Sequence, residues 1–163
     1  SACGVCGRQS IDDLTRGIRP LDASWVVSRA VIDALPGRLR AAQSAFDETG
    51  GLHAAGLFDR EGALMAVAED VGRHNAVDKV IGSQLLLDRF PLGDRILLVS
   101  GRVSFEIVQK AVAARIPLVA AVSAPTRLSP VPPAFSETKK TEIVLSSLNR
   151  LTTSSRFLVE PSR

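Results

Sequence analysis

The chain contains no tyrosine and only 4% aromatic residues. Ring platforms on which single-stranded nucleic acid stacks are therefore scarce. Its formal charge of +3 is modest and scattered, which suits a small anion or an acidic partner surface and argues against nucleic acid. No apolar run approaches the roughly 20 residues needed to cross a bilayer as a helix. No basic-then-apolar leader with a small-residue cleavage site opens the sequence, so nothing argues for secretion. Histidine occurs only at His53 and His74, and cysteine only at Cys3 and Cys6; their spacing matches no zinc-finger pattern. A cytoplasmic setting is the default expectation. There a close cysteine pair is more often catalytic, redox-active or metal-binding than a structural disulfide.

What is present fits one folded domain with a proper core: 163 residues, 45% hydrophobic and 23% charged. The sequence begins at Ser1 with no initiator Met and its cysteine pair almost at the terminus, which reads as a fragment or trimmed product. Residues 1–8, SACGVCGR, are small and punctuated by Gly4 and Gly7, as a mobile loop would be. Trp25, Val26, Ala30, Val31 and Ala34 predict a short helix from Ser24 that ends at Pro36. Pro36 then opens a second helix to about Phe46, stopped by Gly50-Gly51.

Residues 52–58 and 63–68, joined by the turn signal Asp59-Arg60-Glu61-Gly62, predict an antiparallel hairpin. Its nearly continuous apolar content predicts that both faces are covered. A helix follows from Asp70 to about Arg89, then a buried strand at 95–100. A helix at 104–115 has Ser104 as N-cap and Glu106 placed for the dipole, and another buried strand spans 117–123. Together these predict an α/β fold with a mixed sheet covered on both faces and right-handed later crossovers. Residues 128–163 change character: the Pro-, Ser- and charge-rich start reads as a linker, and Thr141 to Leu151 as one amphipathic helix.

The densest polar stretch is Glu69 to Gly82, EDVGRHNAVDKVIG, at the handover from strand to helix. Such junctions hold ligands in α/β proteins, because a helix N-terminus offers unpaired N–H groups and the positive end of its dipole. The bland reading is a helix start capped by Asp70 with Arg73 and Lys79 solvated. The cysteine pair leaves sulfur transfer, dithiol redox chemistry and half of a metal site open.

Five blocks, CGVCG (3–7), TGGLHAAGLFD (49–59), EDVGRHNAVDKVIG (69–82), LLVSGRVSFEIVQKA (97–111) and IPLVAAVSAPT (116–126), resemble in this order the formate dehydrogenase accessory sulfurtransferases, the FdhD family. The resemblance covers residues 1–127, and it leaves 128–163 as a divergent tail. It implies a cytidine-deaminase-like three-layer α/β/α sandwich, a cytoplasmic location and a homodimer. It also implies passage of persulfide sulfur from a cysteine desulfurase to the molybdenum bis-molybdopterin guanine dinucleotide of formate dehydrogenase. Full-length members carry a large N-terminal portion before the cysteine loop and a Gly-Phe-(Val/Cys)-Arg-Gly type segment near the C-terminus. Neither is matched here.

On that resemblance Cys3 carries the persulfide and Cys6 tunes or resolves it. A thiol with a pKa of about 8.5 is only a few per cent thiolate at neutral pH, so Arg8 nearby assists. A second, cofactor-binding pocket is expected from His53, Arg73, His74, Asn75, Asp78, Lys79, Gly101, Arg102 and Ser104, with a ligand resembling GDP. Gly101 lets a backbone approach a phosphate, Arg102 grips it, Asn75 offers an amide edge to a guanine or pterin, and Asp78 accepts from guanine N–H groups. The bland readings are His74 satisfying a backbone group and Asp78 on the solvated surface of a helix. The rival readings are a nucleotide- or molybdopterin-binding module without sulfur transfer and a dithiol oxidoreductase. Zinc-dependent deamination is excluded: it needs His-x-Glu and Pro-Cys-x-x-Cys, whereas Ala54 and Ala55 follow His53 and Ala2 precedes Cys3.

Overall fold

The computed structural model describes Leu21, residues 25–122 and the backbone of 142–145 and 159–160. Cys3, Cys6 and residues 123–126 lie outside the described residues.

After the two-residue strand β1 (Val27–Ser28), helix α1 spans Arg29–Ala41. Ser28 caps it, its hydroxyl accepting from the Val31 N–H at 3.3 Å. Pro36 does not divide this segment into two helices, as its sequence suggests; it lies inside α1. Proline there removes one backbone hydrogen bond and crowds the preceding turn. Ile32, Leu35 and Leu39 are buried along one stripe across it, and their packing holds the helix through the proline. A second, short helix α2 (Ser44–Thr49) ends at Gly50, which takes the left-handed conformation at φ 66° that favours glycine at this position.

Strands β2 (His53–Phe58) and β3 (Leu64–Asp70) form the expected antiparallel hairpin. In its turn, the Asp59 carboxylate accepts from the Ala63 N–H at 2.7 Å. Helix α3 (Arg73–Leu86), strand β4 (Ile96–Val99), helix α4 (Phe105–Ala113) and strand β5 (Leu118–Ala121) follow. Residues Glu142–Leu145 form strand β6, where a helix was expected, and Val159–Glu160 form β7. The short apolar, β-branched run Ile143-Val144 suits a strand as well as a helix. The otherwise unpaired edge of β5 supplies it a backbone partner.

The main sheet has the order β3-β2-β4-β5-β6, with β4 and β5 parallel and the other neighbours antiparallel; β1 and β7 pair separately. Strand alternation divides the core in two. On one face Ala55, Leu57, Leu97, Val99, Val119 and Ala121 pack with Val77 and Val80 of α3 and Ile107 and Val112 of α4. On the other, Ala54, Phe58, Ile96, Leu98, Leu118 and Ala120 pack with Ile32, Leu35 and Leu39 of α1. Coverage of the hairpin is not uniform. β2 is central, but β3 is an edge strand whose Met65 and Val67 are exposed.

Two substitutions in α1 test this packing. Leu39→Ala should lower stability by about 2–5 kcal/mol through the cavity it leaves. Pro36→Ala should raise it by about 1–3 kcal/mol, by restoring a helix hydrogen bond. Denaturant midpoints read both, and a loss of stability in Pro36→Ala would contradict this account of the helix.

Candidate functional site

The position of β2 brings the polar junctions together. It runs antiparallel to both neighbours, so His53 at its start pairs with Asp70 at the end of β3, while Ala55 lies opposite Val99 of β4. Val99 in turn lies opposite Ala121 of β5. His53, the β3–α3 turn and the β4–α4 turn therefore share one end of the sheet, the carboxyl end of β3, β4 and β5. Gly101 packs closely there: a Cβ on it would sit 3.2 Å from His53 Nδ1 and 3.7 Å from Arg73 Cδ. Glycine is what allows the β4–α4 backbone to lie against both side chains.

Asp70 organises the β3–α3 turn. Its Oδ1 accepts from the Gly72 N–H at 2.8 Å and from Asn75 Nδ2 at 3.0 Å, and its Oδ2 pairs with Lys79 at 2.5 Å. The Lys79 hydrogen bond, then those from Gly72 and Asn75, pull its carboxyl down to about 2. Lys79 also donates to the Glu69 carbonyl at 3.2 Å. Asp70 is thus the last residue of β3, and the N-cap of α3 is Gly72. The amide of Asn75 is partly engaged within the turn. Asp78, expected to meet a base, pairs at 2.5 Å with Lys110 of α4.

His74 and Ser104 join the two helix starts, with Nε2 2.8 Å from the serine oxygen. Ser104 also caps α4, accepting from the Ile107 N–H at 3.5 Å. Glu106 approaches the same histidine nitrogen at 3.6 Å. Partial burial pushes the His74 pKa down; Arg73 and Lys110 push the same way, against Glu106 and Asp78. His74 is therefore a neutral hydrogen-bonding group at pH 7. For Lys110, burial alone would lower the pKa, but hydrogen bonds to Asp78 and Glu106 outweigh it and raise it.

Two cations are differently placed. Arg73 Nε is buried and without a hydrogen-bond partner among the described residues. Arg102 is exposed and makes no ion pair among them. Both stand beside helix starts, where backbone N–H groups and the dipole favour an anion. Among the described residues no cluster of three His, Cys, Asp or Glu residues able to hold a metal ion occurs, and no helix is long and apolar enough to cross a membrane.

Glu69 and Gln43 are two residues of this region that sequence reasoning did not single out. The Glu69 carboxylate accepts from the backbone N–H groups of Ala45 and Phe46, both at 2.9 Å, and so ties α2 to the sheet edge. Gln43 borders a cavity of about 640 Å³ at the same end of the sheet, which is also lined by Leu39, Phe46, His53, Ser100 and Val122. An acidic residue opening the polar stretch was the only sign for Glu69. Nothing in the local pattern marked Gln43.

Comparison with known proteins places these residues in context. The model of the FdhD/NarQ family matches residues 1–131. The sulfur carrier protein FdhD of Mycobacterium tuberculosis is 53% identical over 131 residues, 79% of this chain and 48% of that protein. The protein of the same name from Nocardia farcinica is 55% identical over 130 residues, 78% of this chain and 47% of that one. The crystal structure of a putative formate dehydrogenase accessory protein from Desulfotalea psychrophila superposes with a TM-score of 0.61 at 30% identity, covering 71% of this chain and 48% of that one. The chain thus spans about half the length of the relatives it matches.

The Asp70 network has a pH signature. Its carboxyl falls from about 3.9 in an unfolded chain to about 2 in the fold. Its stabilisation is therefore complete above about pH 4 and is lost as pH falls towards 2. Asp70→Asn should lower the thermal midpoint at pH 7 and flatten its decline between about pH 4 and 2. An unchanged acid slope in the variant would contradict the assignment.

Proposed function

Because the chain belongs to the FdhD/NarQ family, we propose that it takes up sulfur as a persulfide on Cys3 and delivers it to the molybdenum cofactor that formate dehydrogenase requires. The observation that carries this reading is the match of the family model to residues 1–131, which include Cys3 and Cys6, beside identity of more than half with proteins named sulfur carriers. The donor is a cysteine desulfurase, the acceptor a molybdenum bis-molybdopterin guanine dinucleotide bound as cargo, and the setting cytoplasmic. The active form is a homodimer.

The sulfur chemistry balances with the chain's two thiols. The Cys3 thiolate attacks the terminal sulfur of the donor's persulfide, and the donor cysteine leaves as a thiolate. Cys6 then attacks the Cys3 sulfur; the Cys3–Cys6 disulfide forms and the terminal sulfur leaves as hydrosulfide for the metal. A dithiol reductant resets the pair.

The end of the sheet supports a place for the cargo. Arg73 and Arg102 beside two helix starts suit its pyrophosphate groups. Neutral His74 with Ser104 offers hydrogen bonds without adding charge, Gly101 lets the β4–α4 turn lie against His53 and Arg73, and His53 stands between this region and the cavity. Asn75, Asp78 and Lys79 complete the proposed pocket as the groups that hold its two turns in place.

The test is the intact mass of the purified chain after incubation with a cysteine desulfurase and free cysteine. The wild type should gain one sulfur that reductant removes, and Cys3→Ala should gain none. Cys6→Ala should load sulfur and release it at least about tenfold more slowly. Full loading of a folded Cys3→Ala variant would sink the proposal.

A further inference from the structure

Glu106 stands in the first turn of α4, where a carboxylate complements the helix dipole. Its contacts go beyond that role. Oε1 lies 3.2 Å from Lys110 Nζ, and Oε2 reaches across to α3, 3.6 Å from His74 Nε2. The Glu106 side chain is only 16% exposed, so its charge acts on the imidazole with little screening by water.

The 2.8 Å contact between His74 Nε2 and the Ser104 oxygen can be made in two ways. Either the hydroxyl donates to a bare Nε2, or Nε2 carries the proton and donates to the oxygen. Glu106 decides between them. A bare Nε2 would turn its lone pair towards the carboxylate, whereas a protonated one presents an N–H to it. Ser104 accommodates the second arrangement. Its oxygen accepts from the Ile107 N–H at 3.5 Å, keeps a second lone pair for His74, and retains its own proton for a ligand. Lys110 does not draw Oε2 away, because its ammonium is held by Asp78 Oδ2 at 2.5 Å and by the other Glu106 oxygen. The second ring nitrogen, Nδ1, makes no hydrogen bond among the described residues, and the His74 side chain is 31% exposed.

We infer that Glu106 is a positioning residue, which fixes His74 as the Nε2–H tautomer and so makes Nδ1 a proton acceptor for a thiol or hydrosulfide S–H. The tautomer separates His74 from the nearby cations. Arg73 and Arg102 suit anionic oxygens, whereas the Nδ1 lone pair repels them and takes a group that carries hydrogen. A proton passed from S–H to Nδ1 leaves a thiolate or sulfide, and an imidazolium whose Nε2–H faces Glu106. A carboxylate behind a histidine base supports it in this way. The choice of S–H as the proton donor rests on the sulfur-transfer reading; the tautomer follows from the distances.

The test is nuclear magnetic resonance of the full chain with nitrogen-labelled histidine at pH 7, which reads the nitrogen that carries the proton; His74→Gln assigns the signals. The wild type should carry it on Nε2. Glu106→Gln keeps the shape, removes the charge and brings an amide donor to the same nitrogen. It should move the tautomer ratio at least about tenfold towards Nδ1–H. It should also lower the His74 titration midpoint, because the Glu106 carboxylate raises it. Glu106→Asp should restore both, and Lys110→Met, which breaks only the other arm, should leave the tautomer as it is. In the sulfur assay Glu106→Gln should load Cys3 as the wild type does and pass sulfur to the cofactor at least about tenfold more slowly. A wild type protonated on Nδ1 would overturn the inference without recourse to any variant. So would a folded Glu106→Gln with the wild-type tautomer and midpoint, or one with a shifted tautomer and undiminished delivery. Absence of sulfur on wild-type Cys3 would instead remove the carrier reading and leave the tautomer assignment standing.

Discussion

Strand β2 is the constraint on which the arrangement depends. It is hydrogen-bonded on both edges and runs against both neighbours. Alternate residues feed the two cores, Ala55 and Leu57 on one side and Ala54 and Phe58 on the other. A one-residue slip would send each set to the wrong face. Gly56 tightens the fit, since a Cβ there would come within 2.9 Å of both the Leu39 and Phe58 side chains. With the register fixed this way, His53 has only one place to be, beside Asp70 and the turns that start α3 and α4. The clustering of polar residues follows from the packing of apolar ones.

Within that cluster the charges divide into two groups. Asp70, Asn75 and Lys79 close the β3–α3 turn; Asp78, Glu106 and Lys110 tie α3 to α4. Their electrostatics are spent inside the chain, which makes the helix starts stiff and well oriented. Arg73 and Arg102 are not spent in this way among the described residues, and His74 is held neutral by its surroundings. A rigid frame carrying uncommitted positive charge at helix N-termini suits an anionic cargo, because little order has to be imposed when it binds.

Much of the architecture was legible in the sequence, for identifiable reasons. The Asp59–Gly62 turn between apolar runs gave the hairpin, and Ser104 ahead of an apolar stripe gave the start of α4. Both signals are local. Pro36 misled because its usual effect on a helix was outweighed by the burial of Ile32, Leu35 and Leu39 on either side of it. The Glu142–Leu145 strand departs from the predicted helix because four apolar-rich residues carry no decisive period, and the edge of β5 that pairs with them is remote in sequence. The polar residues at 69–79 and 101–104 stood out by density. Their division into structural and uncommitted groups did not, since it turns on pairs such as Asp78–Lys110 and Glu69 with Ala45 and Phe46. Gln43 carries no local signal either: its burial at 5% exposure follows from the packing around it.

On the proposed function, cargo binds at the end of the sheet where His53, Asp70 and Gly101 meet. Hydrogen–deuterium exchange of the full chain, with and without the isolated molybdenum bis-molybdopterin guanine dinucleotide, tests it directly. Slower exchange on binding is predicted in residues 43–53, 69–75 and 100–104. Protection confined to the opposite end, in the turns at 59–63, 93–95 and 115–117, would contradict it.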